Sequence, residues 1–117
     1  MSGKPSDFKR FELWVGDTII RRFPKRQGWK IDPKKTLASG HKPDYVVCKG
    51  NKKIVIDAKD KAKLTPRDIR QIMEDRDECK ARAIIYIAND TDVSNSVQQH
   101  ADEAGIEISR ARRWRKK

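Results

Sequence analysis

Apolar residues on either side of a Gly-Asn pair predict a β-hairpin in the middle of the chain. Residues 44–61 read DYVVCKGNKKIVIDAKDK, with Gly50-Asn51 between two apolar runs. With that pair at the centre of the turn, facing residues have numbers that sum to 101. Asp44 therefore faces Asp57, and Lys59 emerges on the same side of its strand as Asp57.

Apolar residues occupy both faces of this hairpin. One face carries Val46, Cys48 and Val55 together with the two acids and Lys59. The other face carries Tyr45, Val47, Ile54 and Ile56. A strand that is apolar on both faces is typical of a covered sheet, so we expect the hairpin to lie in the middle of one. An unpaired carboxylate there would be costly.

Helical periodicity precedes the hairpin. Four apolar residues recur at helical spacing: Phe8, Phe11, Val15 and Ile19. Ser6 or Asp7 can cap this helix, which is predicted to run to about Arg22, before Pro24. The stretch GWKIDP then predicts a short strand that ends at Pro33, followed by the turn-rich loop KKTLASGHKP.

Two helices and two strands are predicted after the hairpin. The segment Thr65-Pro66-Arg67-Asp68 combines a capping hydroxyl, a first-turn proline and an acidic third residue, which predicts a helix to roughly Cys79. The apolar run RAIIYIA predicts a buried strand. Asp92 or Ser94 can cap a further helix that stops at Gly105, and IEIS predicts a last strand. A hairpin combined with crossover helices predicts an α/β fold with a mixed central sheet and helices on both faces.

Composition adds a strong positive charge to this picture. The 117 residues contain 28 Lys and Arg against 17 Asp and Glu, a net charge of +11, and suit one compact domain. That charge favours a polyanion as partner, with nucleic acid foremost. A membrane is disfavoured as partner because no basic helix has a broad apolar face and no apolar run is long enough for a signal sequence or a span. We therefore expect a soluble, cytoplasmic protein.

The facing carboxylates are the main chemical signal. Like charges on directly opposed residues, whose β-carbons are about 5 Å apart, destabilise a sheet. A divalent cation held by both acids would offset the repulsion, and oxygen ligands beside a phosphate suit Mg²⁺ or Mn²⁺ rather than zinc. A structural interpretation stays open for each acid alone. Asp44 can cap a loop after Pro43, and Asp57 can pair with Lys59 or Lys61.

These residues resemble the signature of the PD-(D/E)XK nuclease superfamily. Pro43-Asp44 precedes the hairpin, and Asp57-Ala58-Lys59 ends it. The order of predicted elements from about Phe8 to Ser109 is similar to the Mrr-type restriction endonuclease domain, and ASGHKPD resembles a loop of archaeal Holliday-junction resolvases. The resemblance implies a restriction-endonuclease-like three-layer core in a single domain, residues 1–109, followed by a basic tail, residues 110–117.

The resemblance also implies roles for the residues of the motif. Asp44, Asp57 and the backbone carbonyl of Ala58 would ligate Mg²⁺ or Mn²⁺. The metal would polarise the scissile phosphate and lower the pKa of a bound water. Lys59 would orient that water or stabilise the developing charge.

Four further site residues rest on the same resemblance. Glu12 would add a metal ligand or hold a metal-bound water, and an exposed helix acid is an equal alternative. Gln71 would support the site from the helix after the hairpin, with a solvent-exposed glutamine as the alternative. Ser39 and His41, in the loop before the hairpin, would contact nucleic acid, although turn chemistry also explains both.

Basic residues supply the remaining predicted contacts to nucleic acid. Lys42 and Lys61 lie close in sequence to the two acids. The tail RARRWRKK holds six positive charges within eight residues, which either contact phosphates or serve as a solubilising segment. The predicted contacts in the tail are Arg110, Arg112, Arg113, Trp114 and Arg115. Trp14 and Trp29 are interpreted as core or core-edge residues.

These features together predict a Mg²⁺-dependent endodeoxyribonuclease, either Mrr-like or selective for branched DNA. Cutting two strands would suit a homodimer. The main alternative is a non-catalytic nucleic-acid-binding module that keeps the fold, and a third is an RNA-bound basic protein whose acids are structural. The sequence has no obvious second recognition domain, which disfavours sequence-specific cutting by a monomer.

Overall fold

The computed structural model describes residues 7–110, with side chains from residue 10 onward. Within that range the chain forms three α-helices, one short 3-10 helix and five strands. In chain order they are α1 (Asp7–Arg22), the 3-10 helix (Lys25–Gln27), β1 (Lys30–Pro33), β2 (Tyr45–Lys49), β3 (Lys52–Lys59), α2 (Pro66–Cys79), β4 (Arg82–Ile87), α3 (Asn95–Ala104) and β5 (Ile106–Arg110).

The strands form one mixed sheet in the order β1-β2-β3-β4-β5. β1, β2 and β3 pair antiparallel, whereas β3, β4 and β5 pair parallel and are connected by the crossover helices α2 and α3. In the hairpin Tyr45 pairs with Ile56 and Lys49 with Lys52. Facing residue numbers therefore sum to 101, and the predicted register is confirmed.

Helices cover both faces of the sheet, which gives three layers. α1 packs Phe11, Val15 and Ile19 against one face. α2 and α3 cover the opposite face, with Ile72 and Val97 in its core. The predicted α/β class with a mixed sheet between helices is confirmed. None of the helices within residues 7–110 is long and apolar enough to cross a membrane.

β4 is buried on both faces, which explains its continuous apolar run. Ile84 and Tyr86 belong to the core under α1. Ala83, Ile85 and Ile87 belong to the core under α2 and α3. Alternate side chains of a strand point to opposite faces, so a strand with helices on both sides needs apolar residues at every position.

The predicted caps of α2 and α3 are present, whereas Ser6, a predicted cap of α1, lies outside the described residues. The Thr65 hydroxyl accepts the Asp68 N–H at 3.3 Å, and Asp68 Oδ2 accepts the Thr65 N–H at 2.9 Å, which completes a capping box at the start of α2. Ser94 caps α3 with its hydroxyl, and Asp92 does not. Gly105 ends α3 with φ of 71°, a left-handed conformation that favours glycine.

Arg110, which we assigned to the basic tail, is the last residue of β5. It pairs with Ile87, and its guanidinium donates hydrogen bonds to the carbonyls of Asn89 at 2.9 Å and Thr91 at 2.8 Å. The side chain thus holds the loop after β4 in place. The sheet extends one residue beyond the predicted domain boundary at residue 109. The other predicted contacts of the tail, Arg112, Arg113, Trp114 and Arg115, lie outside the described residues.

Candidate metal centre

Asp44 and Asp57 meet where β2 begins and β3 nears its end. The Asp44 N–H donates to Asp57 Oδ1 at 3.1 Å, and the Ala58 N–H donates to Asp44 Oδ2 at 2.8 Å. Each carboxylate therefore accepts a backbone N–H from the opposite side of the hairpin. Hydrogen bonds to the charged form favour that form, so these two bonds offset part of the mutual repulsion of the acids.

Asp57 is the buried member of the pair. It is 5% exposed, whereas Asp44 is half-buried. Burial raises the pKa of Asp57, and the neighbouring charge of Asp44 raises it further, against smaller opposing effects of Lys59 and of the Asp44 N–H. The charged form of Asp57 is therefore disfavoured, and a cation at this position would relieve that penalty.

Lys59 ends β3 on the same face as Asp57. It is half-buried, and its positive charge lowers the pKa of Asp57. Between them, Ala58 packs its methyl group into the core under α1 and directs its N–H to Asp44. The N–H and C=O of one strand residue point to the same side of the strand, so the Ala58 carbonyl is also directed toward β2. Two carboxylates, a carbonyl and an ammonium group thus lie at one end of the hairpin.

Lys34, which the sequence did not single out, joins Asp44 to Glu12. Its Nζ lies 3.0 Å from Glu12 Oε2 and 3.2 Å from Asp44 Oδ1. The residue has a left-handed φ of 52°, and its N–H donates to the Asp44 carbonyl at 2.9 Å. The Glu12 side chain is 15% exposed, so Glu12 is not the exposed helix acid of the alternative interpretation. An ammonium group therefore lies between two carboxylates at the edge of the centre.

A further buried acid, Asp75 on α2, organises two of the predicted site residues. Asp75 is 1% exposed. His41 Nδ1 lies 2.7 Å from Asp75 Oδ2, and the Gln71 side chain also hydrogen-bonds to this carboxylate. Burial raises the pKa of Asp75 against the opposing effect of His41. Gln71 and His41 thus meet at Asp75, whose charge contributes in turn to the raised pKa of Asp57.

The loop between β1 and β2 is fastened to α2 by polar contacts. The Ser39 N–H donates to Glu78 Oε2 at 3.3 Å, and the His41 N–H donates to Ser39 Oγ at 3.3 Å. Leu37 anchors the same loop in the interior. Ser39 and His41 therefore make the structural contacts of a turn, and their predicted contact with nucleic acid stays a prediction.

The two lysines near the acids differ in their contacts. Lys42 is exposed. Lys61 Nζ lies 2.8 Å from Asp68 Oδ2, the same oxygen that accepts the Thr65 N–H in the capping box. Lys61 therefore pairs with the cap of α2, whereas Lys59 lies two residues after Asp57 on the same face of β3.

The two residues missed by the sequence analysis differ in how easily they could have been found. Asp75 follows Ile69 and Ile72 at helical spacing on the buried stripe of α2, where an acid needs a partner. Lys34 has no such pattern. It lies opposite Asp44 only because β1 pairs with β2 in the register that places Pro33 opposite Tyr45.

The oxygen donors suit a hard divalent cation but do not enclose one. Among the residues that the structure describes, no three His, Cys, Asp or Glu side chains form a metal-binding group. Asp44, Asp57 and the Ala58 carbonyl would supply three oxygens, and the remaining ligands would come from water or phosphate, as is usual for Mg²⁺. The ammonium group of Lys34 already contacts Asp44 Oδ1 at 3.2 Å.

Comparisons with known proteins found similarity in the fold alone. No family model matches the sequence, and no curated protein matches it either. The structure of Pyrococcus furiosus SfsA in complex with Ca²⁺ superposes with a TM-score of 0.58 at 17% identity. That match covers 87% of this chain and 56% of the SfsA chain.

A second solved structure gives a similar result. The crystal structure of AF1548, a protein of unknown function, superposes with a TM-score of 0.59 at 13% identity and covers 84% of this chain and 58% of that chain. The chain therefore spans little more than half the length of either neighbour. At these identities the similarity shows a shared three-layer α/β fold, and it assigns no activity.

Proposed function

We propose that this chain is a divalent-metal-dependent DNA endonuclease of PD-(D/E)XK type. The observation that carries the proposal is the reciprocal arrangement of Asp44 and Asp57, each bonded to a backbone N–H across the hairpin, with Lys59 on the same face. Two acids held together at a sheet end, one of them buried, offer the oxygen ligands that a hard cation prefers. A lysine beside them suits the chemistry of phosphodiester hydrolysis.

The roles of the individual residues follow from their positions. Asp44, Asp57 and the Ala58 carbonyl would hold Mg²⁺ or Mn²⁺, which when bound would polarise the scissile phosphate and acidify a water. The Ala58 N–H fixes the orientation of the Asp44 carboxylate, and the Asp44 N–H fixes that of Asp57. Lys59 would orient the attacking water or stabilise the developing negative charge on the phosphate.

Net charge supports DNA as the substrate class. A charge of +11 attracts a polyanion, and phosphate contacts dominate the affinity of such proteins for DNA. We further propose selection by DNA structure, as in a junction resolvase, or Mrr-like cutting, with a homodimer as the form that cuts two strands.

A non-catalytic nucleic-acid-binding module is the second candidate, and Lys34 is the observation that favours it. Its ammonium group already lies between the carboxylates of Glu12 and Asp44. A lysine in that position balances two acids without a metal ion. In such a protein the basic surface would bind nucleic acid and the acids would be structural.

Alanine variants of the motif distinguish the two candidates. Asp57→Ala and Lys59→Ala should each reduce Mg²⁺-dependent nicking of plasmid and junction DNA by about 100-fold or more. Their affinity for DNA in EDTA should change little, because phosphate contacts elsewhere dominate binding. Asp17→Ala, which removes an exposed acid on α1, is the matched control and should cut like the parent.

The substrate range is measured in the same assay. Holliday junctions, flaps, linear duplex, single-stranded DNA and RNA are compared at equal concentration, and we expect branched or duplex DNA to be preferred. Undiminished cutting by either alanine variant would show that the site is misassigned. Absence of cutting by the parent on all DNA substrates, with binding retained, would favour the non-catalytic module.

A further inference from the structure

A basic pocket lies at the turn end of the hairpin, opposite to the metal centre. It has a volume of about 490 Å³ and opens between the hairpin turn and the connection from α2 to β4. Its cationic lining comes from Lys52, Lys53, Lys80 and Arg82, and its aromatic wall comes from Phe23 and Trp29. Asp57 lies five residue steps along β3 from Lys52, so this end of the pocket is about 17 Å from the acid pair.

The cations of this pocket lack acidic partners. Lys49 and Lys52 are directly opposed across the hairpin, which places like charges about 5 Å apart at their β-carbons. No acid lines the pocket, and within the described part of the chain neither of these lysines makes an ion pair, nor does Lys53, Lys80 or Arg82. Their mutual repulsion is therefore uncompensated within the fold.

Lys80 adds a second observation. It follows α2 at the C-terminal cap with φ of 53° and ψ of 51°, a left-handed conformation in which glycine or asparagine is the usual residue. Lysine at such a position carries conformational strain that glycine would not. The strained residue brings another positive charge to the rim of the pocket.

The aromatic wall is fixed in place by packing. Phe23 and Trp29 contact each other edge to face with centroids 4.8 Å apart, and the ammonium group of Lys49 lies 5.9 Å from the centroid of the Trp29 ring. Trp29 is half-buried, as predicted for a core-edge residue. The pocket therefore has a packed apolar side and a rim of uncompensated cations, which suits a phosphate-bearing strand.

We propose that this pocket binds the phosphates of a DNA strand at a site separate from the metal centre. The choice of DNA as the polyanion rests on the proposed function, whereas the anion site itself rests on the charges and shape of the pocket. Four uncompensated cations in the lining, with Lys49 beside Trp29, match a chain of phosphates better than a single small anion. The site would hold DNA in place without contributing to hydrolysis.

The test uses the full-length protein in EDTA, so that cleavage plays no part in it. Affinity for a short labelled duplex and a labelled single strand is measured by fluorescence anisotropy across salt concentrations from about 50 to 200 mM. Lys80→Gly should lower the slope of log affinity against log salt by about 0.9, and Lys52→Gln with Lys53→Gln should lower it by about twice that amount.

Two features of the design exclude trivial explanations. Lys80→Gly relieves the left-handed strain, so the variant should melt at or above the temperature of the parent, and loss of binding is not then loss of folding. The double variant Arg67→Gln with Arg70→Gln removes two exposed cations of α2 outside the pocket and is the charge-matched control. It should leave the salt slope nearly unchanged.

Three outcomes would overturn the proposal. One is a salt slope equal to that of the parent in all pocket variants. Another is an equal loss in the Arg67 and Arg70 control, which would indicate a general effect of charge. The third is pocket-dependent binding of ATP with unchanged DNA binding, which would make the ligand a free nucleotide. Since no arm depends on cleavage, failure of the nuclease proposal would leave this result interpretable.

Discussion

Replacing Asp57 by asparagine should stabilise the metal-free protein. The substitution removes one of two facing negative charges with little change of volume. Asparagine still offers an oxygen to the Asp44 N–H, which donates to Asp57 Oδ1 at 3.1 Å in the parent. The variant therefore keeps the hydrogen bond across the hairpin and loses the repulsion.

Opposing contributions determine the size of the effect. For charges about 5 Å apart and an effective dielectric constant of about 20, the Coulomb repulsion is about 3 kcal/mol. Against it, the bond from the Asp44 N–H weakens by about 1 kcal/mol when its acceptor becomes neutral, and a similar attraction to Lys59 is lost. The free energy of unfolding should thus rise by about 1 kcal/mol, or about 4 °C in Tm for a domain of this length.

The effect of pH has a definite sign. Because the pKa of Asp57 is raised in the folded state, the folded protein binds a proton more tightly than the unfolded chain does. As the pH falls through the folded pKa, protonation of Asp57 raises the free energy of unfolding of the parent, whereas Asp57→Asn has no such group. The difference in free energy of unfolding between variant and parent should therefore be largest near neutral pH and vanish by about pH 4, where an unfolded Asp also protonates.

Thermal melts followed by circular dichroism measure each of these quantities. Both proteins are melted in EDTA and in Mg²⁺ or Mn²⁺ at several pH values, with Asp17→Asn as a control for loss of one exposed acid. The ion should stabilise the parent by binding the folded state, and stabilise Asp57→Asn far less. A variant that is less stable than the parent in EDTA, together with equal gains from the ion, would refute a shared cation.

Three further experiments test the surroundings of the centre and the basic tail. Lys34→Gln removes the ammonium group between two carboxylates, and Mn²⁺ should stabilise this variant at about two- to fivefold lower concentration than the parent; an unchanged midpoint in Mn²⁺-dependent melts would show that lysine and metal do not compete. Truncation after Arg110 should weaken binding to all DNAs by a similar factor and reduce the slope of log affinity against log salt. An unchanged slope would show that the tail does not contact phosphates. A double-mutant cycle over His41→Ala and Asp75→Asn in chemical denaturation should give a coupling of about 1 kcal/mol, and a value below about 0.3 kcal/mol would contradict an energetic interaction between them.

The acid pair was predictable from sequence because its geometry is local. A tight turn at Gly50-Asn51 fixes the hairpin register. The contact between Asp44 and Asp57 follows from that register alone. The helix caps at Thr65 and Ser94 were predictable for the same reason, because each depends on residues within one turn of the helix.

The surroundings of the pair depend on contacts that no short pattern encodes. Lys34 reaches Asp44 because β1 pairs with β2 across a long loop, and the length of such a loop does not fix the register. His41 reaches Asp75 because that loop folds onto α2. Arg110 appears in the sequence as the first of a basic run, yet tertiary contacts with the loop after β4 place it in the sheet.

The position of the acids within the hairpin has a consequence for the order of folding. A hairpin forms from its turn within about 1 to 10 microseconds, and pairing then proceeds one residue pair at a time away from Gly50. Asp44 and Asp57 lie at the far end of that process, where repulsion opposes the final step and an isolated hairpin frays. We therefore expect their approach to follow the pairing of β4 with β3 at Asp57 and the contact of Lys34 with Asp44. On this argument the candidate centre assembles late, by long-range contacts, although every residue of its motif is local in sequence.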